Sequence, residues 1–157
     1  MMINSLLIVV LTLVLCAQHF VHAANCGEGT YSGDATGTDA NGSCINCPSN
    51  SSTSSAGSTS QNACTCSAGY YGDATTGTCS ACSAGKYKTA SGNGAENSVC
   101  TACTANSSTA STGSTAQSAC TCSPGYYGNA HETSGTCTAC SAGKYKSELE
   151  NLSLIHI

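Results

Sequence analysis

The side chains of this chain that could do chemistry are nearly all cysteines. There are 14 in 157 residues, and all but Cys16 lie beyond Ala24. Apart from Cys26 these fall into four C-x2-C pairs (Cys44/Cys47, Cys79/Cys82, Cys100/Cys103 and Cys137/Cys140) and two C-x-C pairs (Cys64/Cys66 and Cys120/Cys122). Two chemistries fit such spacing. Four thiolates can hold a structural zinc ion tetrahedrally, or the sulfurs can pair as disulfides in an oxidising compartment. Catalysis would need a nucleophile, a base and an orienting group around a formed cleft. Between Ala24 and Glu150 the single histidine is His131, in the segment HETSG, where an exposed loop histidine is the plainer reading. No catalytic residue and no enzymatic activity are expected.

The elements that hold these sulfurs have almost no apolar material to work with. From Ala24 to Glu150 the only Ile, Leu or Val residues are Ile45, Val99 and Leu149, accompanied by seven tyrosines. Ordering a residue costs about 1–2 kcal/mol of backbone entropy, and burying one large aliphatic side chain returns about 1.5–3 kcal/mol. Burial alone therefore leaves this chain unfolded. A disulfide closing a loop of about 15 residues contributes about 3 kcal/mol, so three bridges per small unit make up the difference.

The N-terminus points to the compartment where such bridges form. Leu6–Ala17 is an apolar run, followed by polar Gln18–His22 and small Ala23 and Ala24. This is the layout of a secretory signal peptide over residues 1–23, cut after Ala23, although Lys and Arg are missing from its start. The run is too short for the roughly 20 residues that cross a bilayer. Cys16 leaves with the signal, and a secreted location, or one on the outer face of the plasma membrane, is expected. Signal-borne secretion favours oxidised sulfur over zinc. The net charge of −4, with four Lys and no Arg, excludes a phosphate-binding footprint, so no nucleic-acid partner is expected. The four Lys recur as GKYK (Lys86, Lys88, Lys144 and Lys146) and read as a solvated strand.

Sliding the chain against itself by 56 residues superposes Cys26, Cys44, Cys47, Cys64 and Cys66 on Cys82, Cys100, Cys103, Cys120 and Cys122. The phrase from Cys44 to Gly72 returns from Cys100 to Gly128, and a two-residue insertion then carries Cys79 to Cys137 and Cys82 to Cys140. Such self-similarity means tandem units: residues 24–79, 80–137, and the start of a third over 138–151. The Ser/Thr/Ala/Gly stretches 49–61 and 105–117 lack periodicity and read as solvated loops. The GYYG segments read as short hairpins whose glycines supply positive φ and whose tyrosines lie over a disulfide.

The string C-x2-G-K-Y-K, C-x2-C-x2-N-S-S, G-S, C-x-C-x2-G-Y-Y-G and a final cysteine, from Cys82 to Cys137, resembles the cysteine-rich, EGF-like module of ephrin receptor tyrosine kinases and of growth-factor-receptor cysteine-rich repeats. The resemblance implies a small disulfide-rich all-β fold, with EGF-like modules in an elongated array. It also implies first-to-third, second-to-fourth and fifth-to-sixth pairing: Cys26 with Cys47, Cys44 with Cys64, Cys66 with Cys79, then Cys82 with Cys103, Cys100 with Cys120, Cys122 with Cys137. The rival is sequential pairing. The acidic residues that precede the first cysteine of calcium-binding EGF modules are missing before Cys26 and Cys82, so neither calcium nor any other cofactor is expected. Composition is also similar to that of ciliate surface antigens, which suggests a spacer, coat or adhesion role. A ligand-binding receptor ectodomain is the alternative, with a zinc-binding protein behind it. The expected partner is an extracellular protein or glycan, and membrane attachment would need an anchor or transmembrane segment further along.

Three sequons, at Asn41, Asn50 and Asn106, are candidate N-glycan acceptors on surface loops. Six paired cysteines per unit leave Cys140 alone, which implies a truncated third unit. The last six residues, Leu152–Ile157 (LSLIHI), break abruptly in style and read as a translation of the transposase end sequence used in library adaptors. They are expected to be non-native and are set aside with His156 and the sequon at Asn151.

Overall fold

The computed structural model describes residues 26–33, 44–132 and 134–146, and the backbone of residues 155 and 156. The expected signal peptide with Cys16, and the sequon at Asn41, lie outside the described residues. The chain there is a small disulfide-rich all-β protein in tandem units, built from seven two-stranded antiparallel ladders. In the first unit β1 (Thr30–Tyr31) pairs with β2 (Ile45–Asn46), β3 (Ser51–Thr53) with β4 (Cys64–Cys66), and β5 (Tyr70–Asp73) with β6 (Thr78–Ala81). The second repeats this as β7 (Lys86–Tyr87) with β8 (Thr101–Ala102), β9 (Ser107–Thr109) with β10 (Cys120–Cys122), and β11 (Tyr126–Gly128) with β12 (Cys137–Ala139). A four-residue α-helix, α1 (Glu96–Val99), precedes β8. The third unit begins with β13 (Lys144–Tyr145), whose partner is β14 (Ile155–His156), in the place that Ile45–Asn46 and Thr101–Ala102 take earlier.

The Ser/Thr-rich stretches are not wholly loops: each contributes a strand, β3 or β9, to a C-x-C partner. Three residues are too few to leave a period in the sequence, and what marks them is one buried threonine each. Thr53 and Thr109 lie opposite Cys64 and Cys120. Their Oγ1 atoms accept the Gly29 and Gly85 N–H at 3.0 Å, which pins the turn before β1 and β7 onto the hairpin. Asn50 and Asn106 sit in the turns just before these strands with φ of 62°, a left-handed conformation that asparagine tolerates better than most side chains.

The core is sulfur and alanine. Cys64, Cys66 and Ala74 form one buried cluster, with Tyr31, Tyr70, Cys47 and Cys79 packed on it. Cys120, Cys122, Ala130 and Cys137 form the other, covered by Tyr87, Tyr126 and Cys103. So one tyrosine of each GYY pair lies over sulfur, joined by the tyrosine of GTYS or GKYK, while Tyr71 and Tyr127 are not part of either cluster. The paired tyrosines form a strand rather than a turn. Gly72 and Gly128 (φ 124° and 131°) sit where a Cβ would run into the carbonyl oxygen of Thr78 or Thr136 on the facing strand.

The bridges run sequentially: Cys26–Cys44, Cys47–Cys64 and Cys66–Cys79, then Cys82–Cys100, Cys103–Cys120 and Cys122–Cys137. The expected crossed pairs, Cys26 with Cys47, Cys44 with Cys64, Cys82 with Cys103 and Cys100 with Cys120, are corrected. The fifth-to-sixth bridge is common to both schemes. The cause is the two-residue strand β2, which carries Cys44 before it and Cys47 after it. Cys64, at the start of β4, lies 5.8 Å (Cα to Cα) from Cys47, so Cys44 is left to Cys26 at 5.5 Å. The second unit repeats the arrangement at 5.8 and 6.0 Å.

Candidate functional site

The C-x2-C pairs do not act as pairs. Cys44 and Cys47 go to different bridges, as do Cys79 and Cys82, and Cys100 and Cys103. Cys137 is bridged, and Cys140 is a free, half-buried thiol. Among the described residues no group of three or more His, Cys, Asp or Glu side chains could hold a metal ion. His131 is exposed in the β11–β12 connection, where its N–H donates to Asn129 Oδ1 at 3.1 Å. The sequon residues Asn50 and Asn106 are both exposed.

The most built region is the junction between the first two units. Segment 88–95 of the second unit runs across the β5–β6 hairpin of the first. Gly72 and Gly94 exchange backbone hydrogen bonds at 2.9 and 2.8 Å, and Gly92 N–H donates to Cys66 O at 2.8 Å. The Asn93 amide closes the joint with its oxygen, which accepts the N–H of Cys66 (3.0 Å) and of Ala74 (3.3 Å), and its Nδ2, which donates to Cys64 O (3.3 Å). Backbone ladders this short leave many amides unpaired, and one side-chain amide here satisfies several of them. Beside this joint Tyr71, Asp73 and Thr75 of the first unit face Asn93, Gly94 and Ala95 of the second across an open groove of about 590 Å³.

Lysine behaves in two ways within one motif. Lys86 is partly exposed: its Nζ lies 3.7 Å from Glu96 Oε1 and donates to Asn97 Oδ1 at 2.8 Å. Glu96 Oε1 also accepts the Ser83 N–H at 2.8 Å. The Ser83 hydrogen bonding, followed by the Lys86 charge, holds its carboxyl below the usual range. Lys88 is buried, 5% exposed, and Lys146 is equally so. The reading of GKYK as a solvated strand is therefore corrected for its second lysine. Lys86 lies within β7, whereas Lys88 stands one residue past its end, where its carbonyl accepts the Gly69 N–H of the first unit at 2.9 Å. Burial pushes the Lys88 ammonium below its ordinary pKa.

A comparison with family models matches residues 21–64 and 69–120 to the family described as tyrosine-protein kinase ephrin type A/B receptor-like. The chain belongs to this family. The ephrin-receptor-like match spans more than half of the chain, and its two stretches end at Cys64 and Cys120, the first cysteines of the two C-x-C strands. The family is one of non-catalytic, receptor-type ectodomains. Such a domain with six disulfides fits an extracellular location, and no helix of the described residues is long and apolar enough to cross a membrane. No curated protein and no solved structure matched the chain. The likeness to ciliate surface antigens finds no support in these comparisons.

The sequence reading missed the junction. Its one available signal was the contrast between GTYS in the first unit and GKYK in the next two, which places serine where the others have the buried lysine.

Proposed function

We propose that this ephrin-receptor-like chain is an extracellular spacer, coat or adhesion element, secreted or displayed on the cell surface, and that it does no catalysis. The observation carrying this reading is the repetition of structure without divergence of a site. Both units use the same three ladders, the same sequential bridges and the same buried threonine, so each unit adds length and exposed Ser/Thr surface rather than new chemistry. Repeated surfaces of this kind act through span and through weak multivalent contacts. Display of chains with one, two or four units on beads or cells tests it: span by scattering and adhesion should follow unit number and should survive Tyr71→Ala.

A second reading, a ligand-binding ectodomain, is favoured by the groove of Tyr71, Asp73, Thr75 and Asn93, an aromatic ring among hydrogen-bonding groups of the sort that receives a glycan or peptide edge. It predicts the opposite result, capture lost in Tyr71→Ala whatever the number of units.

A further inference from the structure

We propose that each GYY hairpin carries a carbonyl socket for the ammonium of the next unit, and that Lys88 and Lys146 are positioning residues locking each unit onto the one before it. Lys88 Nζ donates to Cys66 O (3.1 Å), Ser67 O (3.4 Å) and Tyr70 O (2.6 Å) of the first unit, and to Gly92 O (2.6 Å) of its own loop. An ammonium has three hydrogens, so four oxygens at these distances use all of its donor capacity. The ligands are main-chain carbonyls, which makes the socket a property of the hairpin's path rather than of its side chains. These partners of the Lys88 ammonium are all carbonyl dipoles, and the Glu96 carboxylate pairs instead with Lys86.

The backbone of the same residue completes the lock. Lys88 O accepts the Gly69 N–H at 2.9 Å, so side chain and main chain grip one hairpin from a single position. The geometry recurs one unit on: Lys146 Nζ donates to Cys122 O at 3.0 Å, and Lys146 O accepts the Gly125 N–H at 3.0 Å. Cys122 and Gly125 are the repeat equivalents of Cys66 and Gly69. In the first unit the position belongs to Ser32, buried like the lysines and with the same inward backbone bond, Ser32 N–H to Ser58 O at 2.9 Å against Lys88 N–H to Ser114 O at 3.1 Å. Serine carries no ammonium, so at this position the socket contact belongs to the second and third units. The inference stands whether the array serves as a spacer or as a receptor.

The test is amide hydrogen exchange on the full oxidised chain carrying Lys88→Met, with Lys86→Met as control. Exchange of the Gly69, Gly92 and Gly94 amides, which bond across the junction, should rise at least tenfold in Lys88→Met and stay unchanged in Lys86→Met. The Cys103 amide, which bonds to Gly85 O within the second unit at 2.8 Å, should not respond. Unchanged junction amides, or equal acceleration everywhere, would overturn the proposal. Should Lys88→Met fail to oxidise correctly, acylation of the unaltered chain with an amine-reactive ester decides. Lys86 and Lys144 should react at least tenfold faster than Lys88 and Lys146, and equal rates would sink the lock.

Discussion

The hairpins that close the first and second units reach one structure through different tips. In the first, Asp73 Oδ1 accepts the N–H of Thr75 at 2.9 Å and its Oγ1 hydroxyl at 2.7 Å, and Gly77 in the left-handed region turns the chain back. In the second, two residues longer, Asn129 Oδ1 accepts the His131 N–H at 3.1 Å, and Gly135 passes so close to Asn129 O that a Cβ there would collide with it. Both enclose a fully buried alanine, Ala74 or Ala130, beneath the Cys66–Cys79 or Cys122–Cys137 bridge. The bridge, the alanine and the close-packed strand glycine, Gly72 or Gly128, are common to the two. The tip can change length so long as its first side-chain oxygen closes the turn.

Removing the bridges should produce the largest effect. Thiol reductant is expected to unfold both units together, whereas a zinc chelator should leave circular dichroism and protease resistance intact; collapse under chelator alone would mean that metal holds the fold. The bridges also test whether tip length matters. They span 13 and 15 residues, and loop-closure entropy changes only logarithmically over that range. Paired substitution of Cys66 and Cys79 by Ala, or of Cys122 and Cys137, should therefore cost about 3 kcal/mol in either case by denaturant titration. A clear inequality would show that the tips contribute more than connection.

The next effect lies at the glycines. Gly72→Ala and Gly128→Ala place a Cβ against a facing carbonyl at positive φ, and each should cost about 3 kcal/mol, the upper end for a residue forced into such backbone. Gly77→Ala has open space around it and only its left-handed φ to pay, about 1–2 kcal/mol. Equal losses at Gly72 and Gly77 would mean that the close strand approach is not what selects glycine. Smaller again is the loss of the first tip oxygen. Asp73→Ala and Asn129→Ala should each cost about 1 kcal/mol, as for a lost cap, and Asp73→Asn should be nearly silent because Asn129 already does that work.

How much of this the sequence carried depends on the residue. The unit and the all-β class were legible because cysteine and glycine spacing repeats almost without error. The paths of Cys26 and Cys44 were not, since six cysteines allow 15 pairings and only the position of β2 between Cys44 and Cys47 selects one. Lys88 was misread for a related reason. A lysine beside tyrosine on a short strand is ordinarily solvated, and its socket consists of Cys66, Ser67 and Tyr70 carbonyls, which no side-chain pattern records. Asn93 left no trace because the hairpin groups it bonds lie 19 to 29 residues away.

The smallest effect should come from Glu96, which ties α1 to Ser83 and Lys86 in the second unit. Its folded carboxyl titrates below the ordinary glutamate range, first through the Ser83 hydrogen bonding and then through the Lys86 charge. The unfolded chain therefore takes up this proton at higher pH than the folded chain. The stabilisation it gives is complete above the unfolded glutamate pKa of about 4.3 and is lost as pH falls through the folded value. The group is partly exposed and screened by solvent, so the dependence should be shallow and should weaken with salt. It should also be local. The Ser83 amide resonance should shift with the Glu96 titration, and Glu96→Gln should abolish the shift while leaving the first unit's amides unmoved. A Ser83 amide that titrates equally in Glu96→Gln would assign the effect to another carboxyl and remove α1 from the differences between the two units.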